Sequence, residues 1–194
     1  MPDASAIASS IRELSDAGAE KRRAAAAALF QAGSDAIEAL LRSWLADSGF
    51  SELVPRDSGG KARLTAGIAV EAAHFESIRA ANGSPRLAEV PPDQDAREFE
   101  LHFPGDVRLD ILTTRDAGGD GAIARYLRKF GEGIQQVEIQ VSRVARATEI
   151  LGRLFGLPAV YPAPRAGADG TRVNFLLVPA PGGGKVLIEL VEAA

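Results

Sequence analysis

The chain has 194 residues, of which 22 are Lys or Arg, 26 are Asp or Glu and none is Cys, giving a formal net charge of −4 and a pI near 5.3. This length supports one domain with a substantial core, or one domain with a small appendage. The acidic balance argues against a nucleic-acid or anionic-membrane partner, and the lack of cysteine excludes disulfides, thiolate nucleophiles and sulfur-ligated zinc. No stretch approaches the apolar length of a membrane span, and Met1-Pro2-Asp3-Ala4-Ser5 carries no basic leader region, so a soluble, cytoplasmic protein is expected.

The alanine run Ala24 to Ala28 and the helical spacing of Leu29, Ile37, Leu40, Leu41, Trp44 and Leu45 predict helix. Gly33 followed by Ser34-Asp35, with Glu38 as a capping-box partner, predicts a stop and a restart, hence helices over 19–32 and 35–47. Residues 1–50 read as a helical extension that looks like one HEAT-type pair, which cannot bury its own apolar face and is expected to pack on the remainder or on a second subunit. The Pro, Ser and Gly cluster of 51–62 reads as a linker.

From there the period changes. Six strands are expected, over 63–70, 98–103, 107–112, 134–141, 171–178 and 185–191, with helices over 71–82, 122–130 and 144–155. The strands alternate: Val137, Ile139 and Val141 oppose Gln136, Glu138 and Gln140, and Phe99, Leu101 and Phe103 oppose Glu98, Glu100 and His102. Likewise Val107, Leu109 and Ile111 oppose Arg108 and Asp110, while Val173, Phe175 and Leu177 oppose Arg172 and Asn174. A sheet covered by helices on one face would therefore present a second, polar face, either to solvent or to a cavity.

An internal repeat bears on that choice. Val107-Arg108-Leu109-Asp110-Ile111-Leu112 and Val186-Leu187-Ile188-Glu189-Leu190-Val191 place an acid in the same slot, each following an opening strand and a helix. Asp110 lies 45 positions after Thr65, and Glu189 lies 53 after Gln136. The order and spacing suggest two strand–helix–strands modules, 63–115 and 131–194.

The segments Ala122-Ile123-Ala124-Arg125-Tyr126-Leu127, Gly131-Glu132-Gly133-Ile134, Pro164-Arg165-Ala166-Gly167-Ala168-Asp169-Gly170 and Val186-Leu187-Ile188-Glu189-Leu190-Val191-Glu192 resemble the C-terminal half of the methylmalonyl-CoA epimerase family. That family lies in the vicinal oxygen chelate superfamily, with glyoxalase I and hydroxyphenylpyruvate dioxygenase. Gly133-Ile134-Gln135 is similar to the second-module opening of hydroxyphenylpyruvate dioxygenase, and the first half resembles the epimerases through Gly67-Ile68-Ala69-Val70 and the Asp110 strand. The resemblance implies an α+β fold of two βαβββ modules forming a cupped mixed sheet over 63–194. The cup would hold a divalent ion, bound in each module by one residue from the opening strand and one from the last.

Those positions fall on Thr65 and Gln136, where the family has histidine, and on Asp110 and Glu189. With both imidazoles replaced by neutral oxygen donors, no tightly bound metal is expected; a weakly held divalent cation, if present, would use Asp110, Gln136 and Glu189. Asp110 and Glu189 are the candidate bases for proton abstraction beside a carbonyl, with Arg108 or Arg172 as a fixed positive charge. Thr65, Glu100, His102, Arg108, Gln136, Glu138, Arg172 and Asn174 would line the ligand pocket. His74 reads as a surface or packing residue. Gly182-Gly183-Gly184-Lys185 lacks the Ser or Thr and the helix of a phosphate loop and reads as a hairpin connection.

Two functions fit. One is a vicinal oxygen chelate-like domain with a degenerate metal site that binds a small carboxylate, an acyl thioester or a protein partner. The other is a metal-dependent isomerase or lyase of the epimerase or glyoxalase type. A homodimer suits both, because exposed sheet edges and an unpartnered helical pair seek burial.

Overall fold

The computed structural model describes residues 4–57, 59–180 and 183–193. Its helices are α1 (Ala4–Glu13), α2 (Ala19–Leu45), α3 (Ser48–Ser51), α4 (Ala72–Ala81), α5 (Ala122–Phe130) and α6 (Val144–Phe155). The strands are β1 (Leu64–Ala69), β2 (Arg97–Phe103), β3 (Val107–Thr113), β4 (Gly133–Gln140), β5 (Arg165–Ala166), β6 (Arg172–Pro179) and β7 (Lys185–Glu192). All six expected strands are present, and β5 is an addition too short to leave a periodic signal. The chain divides into two compact units, Pro2–Gly33 with Thr65–Gln135 and Ser34–Leu64 with Gln136–Ala194. Both are α+β.

The first unit carries strands in the order β2-β3-β1, with β1 parallel to β3 and β2 antiparallel to it. Between α4 and β2, where a βαβββ module would carry a further strand, the chain makes a backbone bond from Ala88 N–H to Glu98 O at 3.0 Å, within a segment holding Pro85, Pro91 and Pro92. Proline cannot donate to a ladder, which keeps this stretch irregular. The core of this unit gathers Ile11 of α1, Leu14 just after it, and Ala25, Ala26 and Leu29 of α2 against Ile68, Phe75, Ile78, Phe99, Leu109 and Ile111. Phe75 and Phe99 meet edge to face at 4.8 Å, and Asn82 Nδ2 donates to Leu14 O to tie down the end of α1. The N-terminal helices thus pack on the remainder of the chain.

The second unit is a full βαβββ module in the order β4-β7-β6-β5, with β4 parallel to β7 and the other pairs antiparallel. Its core packs Val144, Ala147, Ile150 and Leu151 of α6 onto one sheet face, with Trp44 of α2 edge-on to Phe50 at 5.9 Å and tilted against Phe155 at 6.5 Å. Glu192 Oε2 accepts the Val144 N–H at 2.7 Å and so satisfies an orphan donor of the first turn of α6. Gly156, in the left-handed region at φ 65°, ends that helix.

Two expectations change. The predicted stop at Gly33 is absent, and α2 runs through it as one helix of 27 residues whose two halves belong to different units. The Ser34-Asp35 capping pattern is overridden because Ala32, Gly33, Ala36 and Ile37 are all buried and a continuous helix keeps them on one stripe. The 51–62 segment is packed rather than extended: Leu53 and Val54 are buried, Ser142 N–H donates to Leu53 O at 2.7 Å, and Asp57 closes a turn by accepting the Gly59 and Lys61 N–H groups. Among the described residues no helix is long and apolar enough to cross a membrane.

Candidate functional site

Residues paired across two strands put their side chains on the same face, and neighbours along a strand alternate, so the registers assign every site residue. In the second unit Glu138 pairs with Glu189, Gln136 with Leu187 and Gln140 with Val191. The face opposite α6 therefore carries Gln136, Glu138 and Gln140 of β4 with Leu187, Glu189 and Val191 of β7. In the first unit Gly67 pairs with Asp110, as Glu138 does with Glu189. Thr65 stands two residues before Gly67, as Gln136 stands before Glu138, so the repeat read from sequence holds in register.

Burial singles out the same positions. The buried polar side chains among the described residues are Asp110, Thr113, Thr114, Gln136, Asn174 and Glu189, with Asp110 5%, Gln136 7% and Glu189 9% exposed. A carboxylate shut from water needs hydrogen-bond donors. For Glu189 one is Gln136, whose Nε2 donates to Glu189 Oε2 and also lies 3.4 Å from Glu138 Oε1. The result is an acid–amide–acid row on one sheet face.

The residues around Asp110 are more open. Glu100 pairs with Asp110 and His102 with Arg108 across β2 and β3, so all four share a face with Thr65. Glu100 and His102 are exposed and bonded to each other at 2.8 Å, and Arg108 stands 3.9 Å from Asp106. Thr65 is half-buried.

On β6 the expected faces are inverted. Phe175, not Asn174, pairs with Glu189, so Val173, Phe175 and Leu177 share the Glu189 face while Arg172 and Asn174 point to the opposite side. Asn174 is 0% exposed in the helix-covered core, where its amide is engaged by the Tyr161 backbone, donating Nδ2–H to Tyr161 O at 3.2 Å and accepting from Tyr161 N at 3.4 Å. Arg172 lies exposed at the strand end. Apolar residues occupy both faces of β6, so alternation alone could not orient it. The geometry instead brings Phe175 beside Glu189, with Tyr161 edge-on to Phe175 at 6.1 Å and the Arg165 guanidinium 4.8 Å over Tyr161. Only the β7 register could have revealed this row.

His74 does the packing job expected of it. Its Nδ1 lies 2.8 Å from Glu132, whose Oε1 also accepts the Glu71 N–H at the start of α4. Tyr126 is a buried phenol whose OH donates to Ile134 O at 2.9 Å, and burial pushes its pKa up to about 12. Gly183 and Gly184 precede β7, as a connection would; Gly182 lies outside the described residues.

No protein-family model and no curated protein matches the chain. Solved structures do. Methylmalonyl-CoA epimerase from Mycobacterium tuberculosis is 35% identical at a TM-score of 0.53, over 67% of this chain and 86% of that one. A single-residue variant of the Streptomyces coelicolor epimerase, in complex with 2-nitronate-propionyl-CoA, is 28% identical at a TM-score of 0.53 over 73% of this chain and 99% of that one. A methylmalonyl-CoA epimerase in complex with methylmalonyl-CoA and NH4+ is 27% identical at 0.53, over 73% and 96%. The matching acid slots, the βαβββ unit and this identity agree: the chain belongs to the methylmalonyl-CoA epimerase family of the vicinal oxygen chelate superfamily.

Proposed function

We propose that this chain is a vicinal oxygen chelate domain with a degenerate metal site, binding a small carboxylate or an acyl thioester on the polar face of its sheet. The observation that carries this reading is the Gln136–Glu189 hydrogen bond. The Gln136 amide N–H donates to Glu189 Oε2, so the acid has a neutral hydrogen-bond partner on this face. Thr65 and Gln136 stand where the family resemblance implies imidazole, and the remaining donors are hydroxyl, amide and carboxylate oxygens. Such a set suits a loosely held magnesium or calcium ion and does not fit a tightly held transition metal.

Acyl thioesters enter this proposal through the bound ligands of the similar structures. Asp110 and Glu189 are the acids of the site, and Phe175 and Leu187 give Glu189 and Gln136 apolar neighbours. A cytoplasmic location, a homodimer and the N-terminal helices acting as scaffold for 63–194 belong to the same proposal. A protein partner in place of a small ligand is its weaker form.

An isomerase or lyase is the second reading, favoured by the burial of Glu189 beside a hydrogen-bond donor. Glu189 would take a proton from the carbon next to the thioester carbonyl, the C–H electron pair moving into an enolate, and the same carbon would be reprotonated. The test is metal content by mass spectrometry of untagged protein, before and after incubation with cobalt, manganese and magnesium and desalting, alongside calorimetric titration with methylmalonyl-CoA. Binding without retained ion upholds the first reading. A stoichiometric ion together with exchange of the α-proton into deuterated water establishes the metal-dependent enzyme instead.

A further inference from the structure

The sheet of the first unit ends at β2, and half of that edge is open. In an antiparallel pair the N–H and C=O of one residue point to the same side, and successive residues point to opposite sides. Glu98 O accepts the Ala88 N–H, which lies outside the β2–β3 ladder, so Glu98 faces away from β3, and Glu100 and His102 face away with it. In the second unit β5 covers the corresponding edge of β6. Here Ala88 reaches Glu98, and no other backbone bond among the described residues reaches β2 from that side.

Exposed edges are commonly blunted by lysine, proline or a covering segment. This one carries Glu100 and His102, both exposed and 2.8 Å apart. Their partners within the chain repeat their character: Glu100 stands opposite Asp110, acid against acid, and His102 opposite Arg108, base against base. Directly opposed like charges destabilise a strand pair and opposite charges stabilise it, so the chain's own ladder leaves both side chains without a complement across the strands.

We propose that the open half of β2 pairs with β2 of a second copy of this chain, antiparallel about a twofold axis at Leu101. That register sets Glu100 against His102 of the partner subunit and His102 against the partner's Glu100, so each acid meets a base. Because both residues point outward, each of these pairs exchanges two backbone hydrogen bonds. The ladder also ends cleanly. Its next pair would be Glu98 with Pro104, where the residue that has no N–H to give meets a carbonyl already engaged by Ala88. The neighbouring axes that keep outward residues paired are worse: at Glu100 two acids oppose each other, and at His102 the free Glu100 carbonyl faces Pro104. This inference rests on the homodimer reading above and adds to it the surface, its symmetry and its register.

The experiment is sedimentation velocity of the full chain from roughly 1 μM to 1 mM, since an interface of this size gives weak, reversible dimers. Wild type should pass from monomer to dimer across that range. Glu100→Lys sets lysine against His102 in both pairs, His102→Glu sets glutamate against Glu100, and each variant alone should weaken dimerisation by about tenfold. Mixed in equal amounts, the two variants should associate again, because the introduced lysine then faces the introduced glutamate while the remaining Glu100 faces the remaining His102. Neither a folding defect nor loss of the Glu100–His102 bond within one chain produces that rescue. A wild type that stays monomeric throughout overturns the homodimer reading and this surface together. A wild-type dimer that neither variant weakens keeps the homodimer and overturns the surface, as does weakening by both variants without recovery on mixing.

Discussion

Glu189 and Gln136 come from different strands, yet each satisfies a need of the other: the acid requires a donor once it is shut from water, and the amide requires an acceptor. Gln136→Leu keeps the volume and removes the donor, and is expected to cost about 1–3 kcal/mol in urea denaturation at neutral pH, the penalty of taking a donor away from a buried carboxylate. An unchanged midpoint would mean that Gln136 does not hold this acid. Tyr126 offers a second test, because burial raises its pKa from the ordinary 10.0 to about 12. A phenol that ionises later in the folded chain than in the unfolded one stabilises fully below pH 10, and its contribution declines as pH rises toward 12. The loss over that window is about 3 kcal/mol. Tyr126→Phe should flatten it, and tyrosinate absorbance of the wild type should show a component near pH 12 that the variant lacks.

At the scale of elements, helix limits were legible where chemistry marked them. Both α5 and α6 match their expected spans, each followed by a glycine, Gly131 or Gly156, with positive φ. The middle of α2 was not legible, because Gly33-Ser34-Asp35 is a good stop and start locally while the buried stripe on either side of it requires continuity. Asp35→Pro discriminates the two. Proline is tolerated at the first position of a new helix but costs about 3 kcal/mol or more in an interior, so the variant should be strongly destabilised in chemical denaturation. A wild-type midpoint would restore the two-helix reading. The same distinction explains β6: its periodicity was visible, but with apolar residues on both faces its orientation followed from pairing with β7, which placed Phe175 against Glu189 and sent Asn174 into the core.

For the whole molecule, the N-terminal helices pack on the remainder of the chain, as their unpartnered apolar face requires. Five side chains of this segment, Ile11, Leu14, Ala25, Ala26 and Leu29, close the core of the first unit. A fragment of residues 63–194 would expose that core and should lack a cooperative thermal transition, unlike the full chain. Cooperative unfolding of the fragment would instead make residues 1–50 a true appendage.

Strand alternation and the repeated acid slot set Asp110 and Glu189 in equivalent positions, and the family resemblance supplied the α+β class, because burial demands a two-residue period wherever one sheet face is covered. That period carries no information about which face of a doubly apolar strand turns inward, nor about which polar groups find partners there. Those were decided by tertiary structure: the β7 register oriented β6, the Tyr161 backbone made the burial of Asn174 tolerable, and the segment before β1 brought the Arg63 guanidinium to Gln140. Each depends on groups far apart in the chain, and hydrogen-bond satisfaction is settled only when those groups meet.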